Sequence, residues 1–382
     1  MRIAVARESV SGEARVALVP EVLPRLAAAG HTVVVQPGAG RGALLTDQAY
    51  AAAGAEIAPD PWAEADLAVS VQPLESNALE ALRPGSATLS FYPAGGRLAD
   101  VAERRDRRIT TFAMEQVPRI SRAQAMDALS SQALVAGYRA AVVAAGRLRQ
   151  FFPLSMTAAG TVPPAQVLVL GAGVAGLQAI ATCRRLGAVV RGYDVRAAAA
   201  EEIRSLGALA IELELPTLEG AGGYAREMSE ERSRRQQELL APYVAAADAL
   251  ITTAAVPGRR APVLVTAAMV EGMRPGSVVV DLAAETGGNV EGAVPGSVVM
   301  VGGAQVWGGA NVPSQMPAPA SRLYAQNIAA VVPLLSRDGD LAPDFDDEIV
   351  AGLCVTHDGE VAAGPVRQAL EREASATQEA SP

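Results

Sequence analysis

A glycine-rich segment between two apolar runs is the part of this sequence best suited to specific chemistry. Residues 167–170 are apolar and predict a buried parallel strand, and Gly171, Gly173 and Gly176 follow in the spacing G-x-G-x-x-G. The first glycine of this spacing permits a tight turn, the second lets a pyrophosphate approach the backbone, and the third lets a helix pack on the strand. The N-terminus of that helix would direct free N–H groups at the phosphate.

An acidic residue follows where such a segment needs one. Residues 189–193 predict the next strand, and Asp194 ends it, 18 residues after Gly176. A carboxylate there can accept hydrogen bonds from both hydroxyls of an adenosine ribose. A turn in an ordinary α/β unit is the alternative, because the chain has 36 glycines, but the strand–helix–strand context with the acid favours a dinucleotide site. Asp194 would repel a 2′-phosphate and so predicts NAD(H), whereas Arg196 could pair with that phosphate and admit NADP(H).

The composition excludes several other functions. The chain has 382 residues, 50% of them hydrophobic, which suggests two globular domains. Its net charge of −9 argues against nucleic acid as a partner. Cys183 and Cys354 are too few for a disulfide scaffold or a thiolate cluster, so we predict a cytoplasmic setting and no metal site. Every strong cation is an arginine, which excludes any mechanism that needs a lysine amine.

Two long uncharged stretches, residues 151–183 and 292–321, have the length of a membrane span. Both contain prolines and glycines, which would break a spanning helix. Residues 1–6 lack the apolar core of a signal peptide and predict a first strand instead. We therefore predict no direct membrane insertion.

The first hundred residues alternate between strand and helix patterns. Strands are predicted at residues 3–6, 33–35, 67–71, 87–91 and 109–112, and helices at 20–29, 47–53, 76–82 and 98–105. This alternation is typical of an α/β domain, here without a glycine triplet at its first turn. A long alanine-rich helix is predicted at 130–150, followed by a proline-bearing linker at 151–164.

The same alternation continues beyond the glycine triplet. Further strands are predicted at residues 249–252, 277–282 and 298–301, and a second long helix within 317–335. The predicted fold class is α/β, with two Rossmann-like domains whose parallel sheets are bridged by the two long helices. We assign residues 1–128 and 320–382 to the first domain and 129–319 to the second, with a ligand cleft between them.

Residues 219–240 interrupt the second domain. Several glycines, including Gly223, precede Tyr224, and a dense run of charges follows at 226–238. One interpretation is a solvated loop and helix. The other is a mobile lid in which Tyr224 covers a bound nucleotide and the glycines serve as a hinge.

A second polar cluster lies between the last strand of the first domain and the long helix. It contains Arg119, Gln124, Asp127 and Ser130. One interpretation is purely structural, with Asp127 as a helix N-cap and Ser130 extending the capping turn. The other is a loop lining the cleft, in which Arg119 and Gln124 donate hydrogen bonds to a nicotinamide carboxamide or a phosphate.

At this loop the sequence resembles the NAD-binding portion of the proton-translocating nicotinamide nucleotide transhydrogenases. The resemblance covers most of the chain and includes residues 118–137, 157–165, 171–186, 194–196, 222–225, 252–254, 257–258 and 275–283. It points to the separate first α subunit of these enzymes, since no membrane helices follow. It implies a Re/Si-specific, reversible hydride transfer between NAD(H) on this chain and NADP(H) on a partner subunit, coupled to proton translocation.

The resemblance also implies roles for individual residues. Gln124 would bridge the two nicotinamide rings, and Arg119, Asp127 and Ser130 would orient the nicotinamide of NAD(H). Gln236 and Ala255 align with further NAD contacts, while Tyr224 matches the mobile-loop tyrosine. The complete set of predicted cofactor contacts is Arg119, Gln124, Asp127, Ser130, Gly171, Ala172, Gly173, Val174, Gly176, Asp194, Val195, Arg196, Gly223, Tyr224, Gln236 and Ala255, with Gln124, Arg119 and Asp127 as the catalytic candidates.

The resemblance further implies partners and a location. It predicts a homodimer that associates with a membrane-spanning transhydrogenase subunit and an NADP(H)-binding β subunit. The chain would then lie in the cytoplasm, peripheral to the inner membrane through those partners.

Alanine dehydrogenase shares this architecture and is the main alternative. That family needs a lysine, which would fall near residues 71–73, and a histidine, which would fall near 90–93, and neither is present. The counterpart of its substrate arginine survives as Arg15. A non-catalytic NAD(H)-binding regulatory module is a third possibility. Direct hydride transfer between two nicotinamides needs no proton donor, only two rings held close together with water excluded, so the missing acid–base pair favours the transhydrogenase.

Overall fold

The computed structural model of the protein describes residues 1–215, 230–255 and 259–379, with side chains as far as residue 373. The chain forms two compact units, Met1–Gln132 together with the segment from Ser314 onward, and Ala133–Pro313. We call them unit 1 and unit 2. Each is an α/β structure built on one large sheet, and the first boundary between them falls inside a long helix.

The described elements alternate along most of the chain. The strands are β1 (Arg2–Val5), β2 (Thr32–Val35), β3 (Glu56–Ile57), β4 (Leu67–Val69), β5 (Ala87–Ser90), β6 (Thr110–Ala113), β7 (Ser155–Thr157), β8 (Gly160–Val162), β9 (Gln166–Leu170), β10 (Val189–Tyr193), β11 (Leu209–Ala210), β12 (Ala249–Thr252), β13 (Val278–Asp281), β14 (Val298–Val301), β15 (Ala304–Gly308), β16 (Ser336–Arg337), β17 (Asp340–Leu341), β18 (Cys354–His357) and β19 (Glu360–Val361). The α-helices are α1 (Leu23–Ala28), α2 (Asp47–Ala52), α3 (Ser76–Ala81), α4 (Leu98–Asp106), α5 (Ala128–Arg147), α6 (Val174–Arg185), α7 (Ala199–Ser205), α8 (Glu230–Ala246), α9 (Ala267–Glu271), α10 (Pro317–Val331), α11 (Glu348–Leu353) and α12 (Gly364–Glu379).

Both sheets have the same strand order around their centre. In unit 1 the parallel strands run β3-β2-β1-β4-β5-β6, and in unit 2 they run β11-β10-β9-β12-β13-β15. This is the order 3-2-1-4-5-6 of dinucleotide-binding domains, whose ligands bind where the order reverses, outside the carboxyl ends of strands 1 and 4. The predicted fold class is therefore confirmed, and the two units share a topology that the sequence does not reveal.

The central strands are buried on both faces, as expected for a parallel sheet covered by helices. In unit 2, Val167 and Val169 of β9 pack into one core together with side chains of α5, α6 and α7. Leu168 and Leu170 point to the opposite side and pack with α8 and α9. Because successive strand residues alternate between faces, a continuous apolar run supplies both cores at once.

Some elements differ from the sequence prediction. The sheets are not wholly parallel, since β14 pairs antiparallel with β15, and β18 pairs antiparallel with β6. β15 was not predicted, because only Gly302 and Gly303 separate it from β14 and the two strands merge into one uncharged stretch. The segment expected to be a linker contains the antiparallel hairpin of β7 and β8, hidden in the sequence by the prolines around it.

The long helix α5 passes from unit 1 into unit 2 and there packs closely on α6. At Gly137 an added Cβ would overlap the carbonyl group of Ala175, so the two helix backbones are in direct contact at this point. Among the described residues, no helix combines the length and the apolar character needed to cross a membrane.

Candidate functional site

The turn after β9 depends on a glycine that no other residue replaces without strain. Gly171 has φ +97°, and its N–H donates to the carbonyl oxygen of Tyr193 (2.8 Å). A Cβ at Gly171 would lie 2.6 Å from Oγ1 of Thr253. The left-handed backbone and the close neighbour both require glycine here, as the sequence pattern predicts.

The other two glycines of the triplet do different things. At Gly176, on the first turn of α6, an added Cβ would overlap the carbonyl oxygen of Gly171, so this glycine lets the helix lie directly on the turn. At Gly173 no heavy atom lies within 4 Å of an added Cβ, so the backbone there borders open space. Gly173 is also the N-cap of α6, and it has no side chain to occupy the N–H groups of the first turn. These N–H groups and the helix dipole make this space suited to an anion.

Asp194 closes the site at the end of β10. Its Oδ2 accepts the N–H of Ala172 (2.7 Å), and its Oδ1 accepts the N–H of Arg196 (2.9 Å). The Arg196 guanidinium donates to the same carboxylate through Nε (3.0 Å) and Nη2 (3.2 Å), and also to the carbonyl oxygen of Ala172 (3.1 Å). The hydrogen bond to Asp194 raises the pKa of Arg196. The carboxylate is thus fixed beside the glycine turn, and Arg196 is occupied in holding it there.

A second loop forms the other wall of this space. Directly after β12, the Thr253 N–H donates to the carbonyl oxygen of Leu170 (2.9 Å), and its Oγ1 donates to that of Gly171 (3.2 Å). Ala255, two residues further on, is exposed. The sequence prediction included Ala255 but missed Thr253, although a polar residue directly after a parallel strand is a signal that could have found it.

The remaining predicted residues of unit 2 are more distributed. Val174 begins α6 and is exposed, whereas Val195 is half-buried against the core beneath α8. Gln236 lies on α8, is 1% exposed, and its Oε1 has no hydrogen-bond partner among the described residues. Gly223 and Tyr224, and with them most of the predicted lid, lie outside the described residues.

The polar cluster of unit 1 forms a capped helix start. Residues Ser121–Met126 make a 3₁₀ helix that carries Gln124, and both Gln124 and Arg119 are exposed. Asp127 accepts the N–H of Ser130 on Oδ1 (2.8 Å) and its hydroxyl on Oδ2 (2.6 Å), at the N-terminus of α5. The structural interpretation of Asp127 and Ser130 therefore applies, and a contact of theirs with a cofactor stays a prediction.

A buried asparagine that the sequence prediction missed supports this cluster. Asn327 of α10 donates from Nδ2 to the carbonyl oxygen of Ala125 (2.9 Å) and accepts the Ser131 hydroxyl (2.7 Å). It thereby ties α10 to the 3₁₀ helix before Asp127 and to the first turn of α5. The predicted site residues thus form two groups, Arg119 to Ser130 in unit 1 and Gly171 to Ala255 in unit 2.

Unit 1 has the topology for a dinucleotide but not the chemistry. At the point where its strand order reverses, Glu8 follows β1 and accepts the N–H groups of Val71 (2.6 Å) and Gln72 (3.1 Å), which follow β4. Burial raises the pKa of Glu8 to about 7 despite these two donors. A buried carboxyl group thus takes the backbone N–H groups that a phosphate would need.

Beside it lies the counterpart of the alanine dehydrogenase substrate arginine. Arg15 is buried and donates from Nε and Nη2 to Glu13 (2.8 and 2.6 Å) and from Nη1 to Gln132 (2.9 Å). Burial alone would raise the pKa of Glu13, but the hydrogen bonds and charge of Arg15 hold it at about 2. Gln72, near the expected lysine position, also donates to Glu13 (2.9 Å). Arg15 therefore belongs to an internal hydrogen-bonded cluster, in agreement with the structural interpretation.

Comparison with known proteins accounts for both units. Residues 4–136 match the model of the alanine dehydrogenase/PNT N-terminal domain, and residues 140–364 match that of the alanine dehydrogenase/PNT C-terminal domain. The chain belongs to the alanine dehydrogenase/PNT family.

Within this family, the chain is more similar to transhydrogenase subunits than to an alanine dehydrogenase of known structure. The first of the separate chains that make up the NAD(P) transhydrogenase alpha subunit of Rhodospirillum rubrum is 46% identical over 374 residues, which cover 94% of this chain and 97% of that one. The crystal structure of a transhydrogenase from Sinorhizobium meliloti is 43% identical and covers 94% of this chain and 100% of its own, with a TM-score of 0.87. An L-alanine dehydrogenase structure is 27% identical, covers 98% and 99%, and has a TM-score of 0.82. The resemblance to transhydrogenase α subunits is therefore confirmed.

The three glycines of this family member make a matched test of the site. Gly176→Ala should destabilise unit 2 by about 1–3 kcal/mol, since the added methyl overlaps backbone that cannot move away. Gly173→Ala should leave the melting temperature near the wild-type value but abolish NADH binding, because its methyl enters only the open space. Thermal melts and NADH titrations of the two variants check this. Undiminished NADH binding by Gly173→Ala would show that the pyrophosphate does not lie there.

Proposed function

We propose that this chain is the NAD(H)-binding α subunit of a proton-translocating transhydrogenase. It passes hydride reversibly between NAD(H) held here and NADP(H) held by a partner subunit. The observation that carries the proposal is the open, uncapped N-terminus of α6 at Gly173 with the fixed carboxylate of Asp194 beside it. The names of the transhydrogenase relatives support the same assignment.

The residues of unit 2 fit a dinucleotide. The N–H groups of the first turn of α6 would hold the pyrophosphate, and the missing Cβ of Gly173 leaves room for it. Asp194 would accept the ribose hydroxyls, and its charge would disfavour a 2′-phosphate. Since Arg196 already donates to Asp194 twice through its guanidinium, it is not set aside for a 2′-phosphate, which favours NAD(H) over NADP(H).

The residues of unit 1 fit the orientation of a nicotinamide rather than acid–base chemistry. The bound nicotinamide supplies the hydride itself, so no side chain has to deliver a proton. Gln124 offers both a donor and an acceptor on one exposed amide, which suits contact with carboxamide groups. Asp127 and Ser130 fix the start of α5 and so the orientation of the preceding loop, while Arg119 contributes a further donor. Holding the ring with water excluded is then the main catalytic task of this chain.

Two alternatives are less well supported. An alanine-dehydrogenase-like activity needs groups for an amino or keto acid, but Arg15 is committed to Glu13 and Gln132, and Gln72 donates to Glu13. A regulatory NAD(H)-binding module would not need the exposed Gln124 loop that the resemblance assigns to the second ring. Alanine-dependent reduction of NAD by the isolated chain would establish the first alternative.

The proposal includes a homodimer and membrane partners. The chain would bind an NADP(H)-binding β subunit and a membrane-spanning subunit that couples hydride transfer to proton movement, from the cytoplasmic side of the inner membrane. The hairpin of β7 and β8 supports a second copy as one partner, because Leu154, Met156 and Val162 are all exposed there. An isolated two-stranded hairpin is at best marginally stable in water, and an exposed apolar one favours packing against a protein surface.

The first test concerns cofactor choice. Asp194→Asn should weaken NADH binding by about tenfold or more, since hydrogen bonds to a charged group contribute about 1.5–3 kcal/mol, and should lose much of the preference for NADH over NADPH. Fluorescence titrations with both nucleotides measure this. Equal affinity of the wild-type chain for NADH and NADPH would contradict the role given to Asp194.

The second test concerns hydride transfer. Mixing the chain with an NADP(H)-binding transhydrogenase component should give transfer from NADH to a nicotinamide analogue. Gln124→Asn should slow this transfer far more than it weakens NADH binding, because a side chain shorter by one methylene no longer spans both rings. Gln116→Asn, on the preceding 3₁₀ helix, is the control and should change neither quantity. Absence of transfer with the wild-type chain favours the regulatory module, and equal losses of binding and transfer in Gln124→Asn refute the bridging role.

The third test concerns the dimer. Sedimentation equilibrium should give a dimer at micromolar concentration, and Met156→Asp should shift it to monomer without a change in NADH affinity. Leu209→Asp places the same charge on another exposed apolar position of unit 2 and should leave the dimer intact. A wild-type monomer, or a dimer unaffected by Met156→Asp, contradicts the assignment of the hairpin to the interface.

A further inference from the structure

A fully buried carboxylate stands at the end of β13, one strand away from the glycine turn. Asp281 is 0% exposed, and its Oδ1 accepts the Thr252 hydroxyl (3.0 Å) and the N–H of Ala283 (2.9 Å). Its Oδ2 accepts the N–H groups of Asn289 (2.8 Å) and Val290 (3.0 Å). Four donors use the hydrogen-bonding capacity of a carboxylate. Asp281 therefore faces only its own chain and cannot touch a ligand directly.

The side chain of Asn289 carries the connection from Asp281 to the site. Its Oδ1 accepts the N–H of Ala254 (2.9 Å), and its Nδ2 donates to the carbonyl oxygens of Ala254 (2.8 Å) and Pro262 (2.8 Å). Asn289 is also fully buried. Its amide thus satisfies both backbone groups of Ala254, as a neighbouring strand would, at a point where β12 has already ended.

The segment held in this way is the second wall of the nucleotide site. Ala254 lies between Thr253, which donates to Gly171, and the exposed Ala255. A Cβ on Gly171 would lie 3.1 Å from the backbone nitrogen of Ala254, so the loop after β12 and the turn after β9 are in contact. This is the place where the strand order of unit 2 reverses and where a dinucleotide would bind.

We propose that Asp281 and Asn289 are positioning residues for the nucleotide site, which hold residues 253–255 against the glycine turn at the spacing that the dinucleotide requires. This inference rests on the proposed NAD(H) function and adds to it two residues that never contact the cofactor. Without Asn289, both backbone groups of Ala254 lose their partner, and the loop has no reason to keep one conformation. The protein thus carries the ordering cost of this wall before the ligand arrives, which favours tight binding.

The opposite edge of the same sheet provides a matched control. Asp248 precedes β12 and is likewise buried, and it accepts the N–H of Gln166 (2.8 Å), Nε2 of Gln150 (3.0 Å) and Nη1 of Arg274 (3.0 Å). Both carboxylates tie together segments at the ends of neighbouring strands, but only Asp281 lies at the carboxyl ends, where the glycine turn is. Loss of either should destabilise unit 2, and only loss of Asp281 should act on the nucleotide.

The experiment compares Asn289→Ala, Asp281→Asn and Asp248→Asn in the full chain, by thermal melts and NADH titration. We expect Asn289→Ala and Asp281→Asn to raise the Kd for NADH by about tenfold, which corresponds to about 1.4 kcal/mol. Asp248→Asn should lower the melting temperature by a similar amount and leave the Kd within about twofold, as for an independent distant site. In the mixed transfer assay, the KM for NADH should rise in the first two variants with little change in kcat at saturating NADH.

A milder pair keeps the test valid if the buried variants fold poorly. Thr252→Val preserves the shape of a fully buried side chain but removes the hydroxyl that donates to Asp281, whereas Thr252→Ser keeps the hydroxyl. We expect Thr252→Val to raise the NADH Kd by about threefold, the scale of one net hydrogen bond, and Thr252→Ser to bind like the wild type. Amide hydrogen exchange should also become faster at Ala254 in Asp281→Asn but not in Asp248→Asn.

The outcomes separate this inference from the function on which it rests. If the wild-type chain binds no NADH, the proposed function is overturned, and the positioning role falls with it. If the wild type binds NADH but Asn289→Ala and Thr252→Val bind it equally well, only the positioning role is overturned. An equal loss of affinity in Asp248→Asn and Asp281→Asn would likewise overturn it, because the effect would then follow general stability.

Discussion

Direct contact between backbones at the start of α6 is the constraint on which the nucleotide site depends. Gly176 lets the helix lie on the carbonyl oxygen of Gly171, and Gly137 lets α5 lie on the carbonyl group of Ala175. A side chain at either glycine would push α6 away from β9 or from α5. The helix N-terminus is therefore fixed from two sides, and the N–H groups of its first turn point at one place before any ligand binds. Gly173, by contrast, packs against nothing, and its missing side chain leaves space for the ligand.

The two units show how one topology supports opposite outcomes. Both have the strand order 3-2-1-4-5-6, and both bring the segments after their first and fourth strands together. In unit 2, those segments are the Gly171 turn and the Thr253 loop, which expose N–H groups to an open space. In unit 1, Glu8 crosses the same gap and accepts the N–H groups of Val71 and Gln72. Topology therefore determines where a dinucleotide can bind, and the residue after the first strand determines whether it does.

The sequence predicts this site well where the signal is local. The glycine triplet, β10 and Asp194 lie within 30 residues, and each has a steric or electrostatic requirement that the residue type reveals. Contacts between distant segments of the chain escape such reasoning. Asn289 serves Ala254, 35 residues earlier, and Asn327 serves Ala125, 202 residues earlier, and nothing beside either asparagine indicates its partner. The hairpin of β7 and β8 escapes for another reason, since the prolines around it are typical of a linker. Asp127 shows a third limit, because a helix cap and a cofactor contact call for the same residue types.

The absence of lysine shapes how the acidic groups near the site are held. Each carboxylate that an arginine fixes there is held by a planar fork: Arg196 on Asp194, Arg15 on Glu13, and Arg122 on Asp347 beside the Gln124 loop. A guanidinium binds both oxygens of a carboxylate in one plane and so fixes its orientation, which an ammonium group does not. Because guanidinium groups also stay charged at all relevant pH values, these contacts should not titrate with the reaction. A chain that only has to hold a nicotinamide ring gains from such fixed geometry, whereas an amino-acid dehydrogenase needs a cation or an imidazole that can give up its proton. The same preference for fixed over titrating groups thus explains both the arginine pairs that are present and the acid–base pair that is not.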